Sequence, residues 1–350
     1  MDLKADALPT SIGSFPHTDP GAALRLIARR LPEIPGWPQL PRLGYRENMY
    51  VQYLHKAPAA RIDPEREVLY FDTSADSSRE MEIFYENVLA GNADPFALEP
   101  EYALGFGAFL DALGRDFDAG RIVAVKGQVT GPVSLGLTVT DQNRRSILYN
   151  ETFFDVVLKA CRMGAAWQVE RLKDLCDRVI LFIDEPYLVS FGSAFAQFSS
   201  ENATAWIDEV AGEIHARGGI AGAHCCGNTE WPIILNSRVD ILSLDASAYF
   251  EGLTLYPGEL KAFHERGGVL AFGIVPASED APGLTADALT GDLLGKIDRL
   301  SNVADAPGLL RQSLITPSCG LGTVSEQAAE AALRLCREIS DRIRDDYPFS

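Results

Sequence analysis

The sequence predicts an α/β fold, a single decorated (β/α)8 TIM barrel. Three observations carry this expectation. Short β-branched or apolar runs recur along the chain, each ending in Gly, Pro, Asp or Cys. Amphipathic helical stretches lie between them, and strand–helix alternation implies a parallel sheet with right-handed crossovers. The runs number about eight, which is what closes a barrel.

In chain order the strands begin with SIGSFP (Ser11–Pro16) and a less regular one near RLGYREN (Arg42–Asn48). IVAVKGQVTGP (Ile122–Pro132), VILFIDEP (Val179–Pro186) and GIAGAHCCGN (Gly219–Asn228) follow. VDILSLDAS (Val239–Ser247), GVLAFGIVP (Gly268–Pro276) and SLITPSCGLG (Ser313–Gly322) complete the series. Runs this continuously apolar suit parallel strands buried on both faces. Helices are expected over Thr204–Arg217, where Trp206, Ile207, Val210 and Ile214 share a face, and over Glu326–Ile343, with Ala329, Leu333, Cys336 and Ile339 aligned. A doubly wound sheet lacks its usual sign, because no GxGxxG follows the first strand. Residues 57–117 fit the alternation poorly. RIDPEREVLYFD (Arg61–Asp72) reads as a hairpin and Ser78–Leu89 as a helix, so this stretch is expected to be an insertion into one domain spanning residues 1–350.

Composition narrows the function classes. Of 350 residues, 31 are Lys or Arg and 49 are Asp or Glu, a formal charge of −18. That balance argues against nucleic-acid binding, which needs a cationic footprint, and against a polybasic membrane surface. It fits a solvated exterior. No apolar run reaches the length of a membrane span. The polar start MDLKADALPT carries no secretory pattern, so a cytoplasmic location is expected. Six cysteines are too few for a disulfide scaffold and are free for metal binding or chemistry.

The most informative segment is Gly222-Ala223-His224-Cys225-Cys226-Gly227-Asn228. Side chains two apart on a strand point to the same side, so His224 and Cys226 converge while Cys225 faces the barrel wall. Cys319 sits at another strand end, in ITPSCGLG. One imidazole and two thiolates are a zinc-type donor set with a fourth position open. Cys161, Cys176 and Cys336 fall in helical stretches and read as small buried hydrophobes. Arg144 and Arg145, in DQNRR, read as a solvated loop, with contact to a donor phosphate or carboxylate as the alternative.

Strand-end motifs over residues 10–323 resemble, in order, the catalytic barrel of cobalamin-independent methionine synthase, in the superfamily that includes uroporphyrinogen decarboxylase. TSIGSFPHT (Thr10–Thr18) is similar to that family's first-strand motif and KGQVTGPVSL (Lys126–Leu135) to its K-x-x-L/V-T-G-P segment. FIDEP (Phe182–Pro186) is similar to its I-D-E-P; HCCGN and PSCGLGT (Pro317–Thr323) are similar to its zinc segments. The resemblance implies a zinc-dependent methyltransferase that activates homocysteine as a thiolate. His224, Cys226 and Cys319 stand at three zinc-ligand positions. Asp245 stands where the family has a ligating Glu, and is either the fourth ligand or a partner that orients His224. Asp184 resembles the residue that holds the homocysteine amino group, with Glu185 beside it. Gly13 and Ser14 resemble the stretch that meets the amino-acid carboxylate, and Thr130, Gly131 and Pro132 a turn that shapes the pocket.

The resemblance also bears on the methyl donor. The folate-using enzymes carry a second barrel N-terminal to this one, whereas this sequence starts close to the first strand. Their seventh strand supplies a His that helps protonate the departing folate nitrogen; here the matching stretch, Gly273–Glu279, has no His and offers only Ser278 near that place. A corrinoid leaves without a proton. A methylcorrinoid such as methylcobalamin, presented by a partner corrinoid protein, is therefore the expected donor, unless Glu279 or Asp280 supplies the proton. The alternatives are a folate donor, a coenzyme M-type acceptor, or a non-catalytic barrel that binds zinc and a thiol. A decarboxylase is disfavoured, since the Arg-rich N-terminal signature of uroporphyrinogen decarboxylase is absent.

Overall fold

The computed structural model describes residues 3–193 and 196–349. Its strands are β1 (Leu8–Pro9), β2 (Ala60–Asp63), β3 (Val68–Phe71), β4 (Val125–Thr130), β5 (Thr140–Asp141), β6 (Val179–Asp184), β7 (Ile220–Cys225), β8 (Ile241–Leu244), β9 (Val269–Val275) and β10 (Ser313–Pro317). Seven of them form one curled, all-parallel sheet in the order β1-β10-β9-β8-β7-β6-β4. The remaining three make a small sheet, β2-β3-β5, whose β2–β3 pair is the expected hairpin.

Alternation along each strand divides the core in two. Ile180 and Phe182 of β6, Ile241 of β8, Val269 and Ala271 of β9 and Leu314 of β10 meet on the concave face in one apolar cluster. Their neighbours Leu181, Ile183, Leu242, Leu270, Phe272 and Ile315 point outward into the shell between sheet and helices. Two of the predicted helices fill that shell and the third lies in the insertion. They run over Ser78–Ala90, Ser200–Ala216 and Glu326–Asp346, each within a few residues of the pattern read from sequence. Ser325 caps the last one by accepting the Ala328 N–H. Cys161 and Cys336 lie in helices, as expected, whereas Cys176 falls beyond the helix Glu151–Lys173, in the turn before β6.

Between the two edges of the sheet runs Pro35–Gln39. Lys126 N donates to Pro35 O at 2.8 Å and Trp37 N to Lys126 O at 3.2 Å, while Gln39 N bonds Gly13 O at 3.0 Å and Phe15 N bonds Gln39 O at 2.8 Å. The segment touches β4 on one side and the chain that follows β1 on the other, only through isolated bridges. Pro35 and Pro38 lack the N–H groups a ladder needs, which keeps it from being a regular strand. The first strand is Leu8–Pro9 and not Ser11–Pro16, of which only Ser14 forms an isolated bridge, and the second strand expected at Arg42–Asn48 is not there. Pro41–Leu43 and Tyr45–Glu47 are short 3₁₀ turns separated by Gly44 at φ +128°, a conformation suited to glycine.

The expected insertion also proves narrower than residues 57–117. Its hairpin and first helix are excursions, but the helix Leu104–Leu113 belongs to the main shell: Phe106 packs edge-on against Trp37 at 5.7 Å and tilted against Trp167 at 5.1 Å. No helix among the described residues is long and apolar enough to cross a membrane.

Phe182, fully buried in the concave cluster, also lies 4.1 Å beneath the Lys126 ammonium. Phe182→Ala should therefore cost about 3–5 kcal/mol through the cavity alone, more once the cation–π contact is counted. A fall in the urea-unfolding midpoint checks this; an unchanged midpoint refutes the packing.

Candidate metal and ligand site

The carboxyl ends of the strands carry one row of side chains abreast on the concave face. Register pairs Thr130 of β4 with Asp184 of β6, Asp184 with His224 of β7, and His224 with Ser243 of β8. His224 is buried, with Nδ1 2.9 Å from Ser243 Oγ and Nε2 without any partner. Cys226 follows two residues on, past the end of β7. A register shift between Thr316 and Pro317 bends the end of the β9–β10 pairing, two residues before Cys319, as bulges at sheet ends commonly re-aim the chain. The donor atoms of His224, Cys226 and Cys319 all lie within 4.8 Å of one another. Cys225 points the other way, into the outer shell, as the alternation requires.

The loop that carries Cys319 is tied down from two sides. Leu321 N donates to Ser14 O at 2.8 Å and Gly322 N to Ser14 Oγ at 3.2 Å. The Arg42 guanidinium donates to Val324 O at 2.7 Å. Ser14 thus anchors the loop in addition to lining the cavity beside it. In the thiol pair, the Cys319 S–H, then His224, favour ionised Cys226 and hold its thiol below the ordinary range; Cys319, facing that sulfur, is pushed up.

A cavity of about 300 Å³ opens onto the three donors. Asp184 lines it, with Oδ1 buried and unpaired. Burial pushes its carboxyl up to about 6, against the opposing pull of His224 and then Lys126. Lys126 itself is buried below the cavity and donates to Ile12 O.

Two expected site residues have other work. Asp245 is not part of the donor cluster: its Oδ1 accepts from Ser247 Oγ at 2.6 Å and Ala248 N at 3.0 Å, closing its own turn. The partner of His224 is Ser243, not Asp245. Glu185 does not line the cavity. It is fully buried on the other side of the chain, accepting Val133 N at 2.9 Å, Ser134 N at 2.8 Å and Ser134 Oγ at 2.6 Å at the start of the helix Pro132–Thr138. Gly131 makes room for it, since a Cβ there would sit 2.2 Å from the Glu185 carboxyl carbon. Gly13, also expected at the site, does not line the cavity as its neighbours Ile12 and Ser14 do, and lies against the Gln128 amide, where a Cβ would come within 2.8 Å of Cδ. Thr130 lines the cavity and also donates to Met49 O at 2.8 Å. Arg144 and Arg145 lie in the loop after β5, away from this cavity, with Arg145 N bonded to Asp141 Oδ1 at 3.0 Å.

Sequence reading missed an entire wall. Gln39, Asn48, Met49, Tyr50, Gln52 and Tyr53 line the cavity from the segment between the first bridges and the hairpin. Gln128 joins them from β4. Only Gln128 left a signal: Lys126, Gln128 and Thr130 alternate as polar residues in an otherwise apolar buried strand. A second cavity of about 420 Å³ lies in the insertion around His55 and Arg61 and shares Gln52 and Tyr53 with the first. Neither a scan against protein-family models nor a search of curated proteins finds a match to this chain.

Glu185 gives this site a pH signature. Burial pushes its carboxyl up to about 7, above the ordinary 4.5. The folded state therefore binds the proton more tightly than the unfolded chain. The associated stability is complete below about pH 4.5 and is lost as pH rises through about 7. The urea midpoint of the wild type should fall between pH 5 and 8.5 more steeply than that of Glu185→Gln, and parallel curves would contradict the assignment. Glu185→Ala, which strands two buried N–H groups, should cost at least about 2 kcal/mol.

Proposed function

We propose that the chain is a zinc-dependent methyltransferase that methylates the sulfur of an amino-acid thiol, homocysteine, in a (β/α)8 barrel whose second position is taken by Pro35–Gln39. The observation that carries this reading is the convergence of His224, Cys226 and Cys319 in the cavity that also holds the unpaired Asp184 carboxylate oxygen. The bonds from Pro35–Gln39 to β4 and to the chain that follows β1 support the closed barrel.

The donors suit zinc. Tetrahedral bonds of about 2.0–2.3 Å to N and S place ligand atoms about 3.5–3.8 Å apart, so a spread within 4.8 Å needs only a small contraction. The orphaned His224 Nε2 faces the thiols while Nδ1 is committed to Ser243, the tautomer-setting arrangement that metal-binding imidazoles use. With Asp245 turned away, three protein ligands leave the fourth position to a substrate sulfur. A zinc ion bound here supplies the charge that keeps a coordinated thiol ionised at neutral pH.

The chain's own groups do the rest. Ser243 fixes the plane of the imidazole. Asp184 takes the ammonium of the amino acid and sets the direction from which its sulfur reaches the donors. The loop Cys319–Thr323, pinned by Ser14 and Arg42, walls the cavity against water. No Lys or Arg among the described residues lines the cavity, so a sulfonate acceptor of the coenzyme M type finds no counter-charge.

A methylcorrinoid donor, brought by a partner protein, fits better than methylfolate. Folate leaves as an amine that needs a proton. The nearest candidate acid after β9, Glu279, is engaged at both oxygens by Ser325 N and Oγ, each at 2.6 Å, and holds the capping residue of the last helix instead.

Purified protein should hold one zinc per chain, and Cys226→Ser or Cys319→Ser should abolish stoichiometric binding. Ser243→Ala should weaken zinc affinity about 10- to 100-fold. Methyl transfer to homocysteine, assayed in parallel from methylcobalamin and methyltetrahydrofolate, should proceed from the corrinoid. Activity from folate alone overturns the donor, and metal-free protein with full thiol methylation overturns the site. Bound zinc with no turnover from either donor favours a thiol-binding protein.

A further inference from the structure

We propose that Gln128 is a second acceptor for the substrate's ammonium group, sharing it with Asp184 and making the cavity selective for amino thiols over thiols of the same length without the amine. The inference rests on the thiol-methylating reading above and extends it to a residue for which the family resemblance implies no role.

The geometry begins with β4, where Lys126, Gln128 and Thr130 enter the concave side while Val125 and Val129 join the outer shell. Gln128 is 5% exposed, and its Nε2 donates to Trp37 O at 3.3 Å. That carbonyl fixes which way the amide faces, because the opposite orientation would set oxygen against oxygen. Oε1 is thereby left buried with no donor. Gln128 pairs in register with Phe182, and Thr130 with Asp184, so Gln128 and Asp184 are diagonal neighbours on adjacent strands of the same face. Diagonal pairs of this kind lie within reach of long side chains.

Gln128 and Asp184 therefore line one cavity, and each has a buried acceptor, Oε1 and Oδ1, that lacks a donor. Buried polar atoms rarely stay unpaired, and the cavity wall holds no Lys or Arg to serve them. A ligand that carries N–H groups would supply the missing donors. An ammonium has three N–H groups and no acceptor, which matches a carboxylate and an amide carbonyl on diagonal neighbours of one cavity wall. Gly13 protects this arrangement, since any Cβ there would press on the Gln128 amide. A bound water would pair both oxygens equally well, but it would confer no preference among thiols.

Isothermal titration of the zinc-loaded protein with homocysteine and with 4-mercaptobutanoate, its counterpart lacking the amine, separates these possibilities. Wild type should prefer homocysteine. Gln128→Met should weaken homocysteine about tenfold or more while leaving zinc content unchanged and 4-mercaptobutanoate within about twofold. Gly13→Ala, which displaces the amide without removing it, should shift selectivity in the same direction and serves if Gln128→Met fails to fold. Equal weakening of both thiols, or of neither, overturns the role of Gln128 alone. A zinc-loaded wild type that binds neither thiol overturns the functional reading, and this inference with it.

Discussion

A curled parallel sheet admits every second residue of each strand to its hollow and sends the others outward, and the whole site depends on that alternation. At the amino ends the hollow is apolar, filled by Ile180, Ile241, Val269 and Leu314. At the carboxyl ends the same faces turn polar, with Thr130, Asp184, His224 and Ser243 abreast. A slip of one residue in β7 would bury Cys225 among these groups and turn His224 and Cys226 into the helical shell. The apolar floor resists that slip, because it would expose the outer-facing set at the same time. Packing at one end of the strands thereby holds the register of the chemistry at the other.

Above the sheet, hydrogen bonds from side chains to loop backbones take over from alternation. Glu185 anchors the turn after β4 to the end of β6, and Glu279 anchors the turn after β9 to the last helix. Ser14 and Arg42 hold the loop that carries Cys319. Each of these groups is polar and satisfied by partners within the protein, which suits a role in holding loops. Asp184, Gln128 and His224 differ in keeping a buried atom unpaired in the cavity. Natural interiors seldom tolerate such atoms, and their clustering in one place is what sets the cavity apart from the larger one in the insertion.

Much of this was legible in the chain itself. The H-x-C spacing on one strand places His224 and Cys226 on the same side, and the cysteine of PSCGLG is recognisable as a third donor at a comparable strand end. The hairpin, the insertion's first helix and most strands could be read from periodicity. Asp245 and Glu185 could not be assigned, because a carboxylate near a strand end looks the same in sequence whether it faces a ligand, closes a turn or caps a helix. Pro35–Gln39 stayed hidden for a related reason: its prolines break the pattern by which strands are recognised, although its remaining backbone groups bond β4 and the chain that follows β1.

Local order thus followed from the sequence alone, since strand alternation and helical spacing are properties of neighbouring residues. The strand class, the polar carboxyl ends and two of the three metal-site candidates are facts of that kind. Which distant groups meet was decided only by tertiary structure. The approach of Cys319 to Cys226, the commitment of Ser243 to His224, and the wall built by Gln39, Tyr50 and Gln52 all require sheet register and loop paths that no short window contains. Side-chain direction repeats every two residues, but the position of a loop depends on everything it packs against.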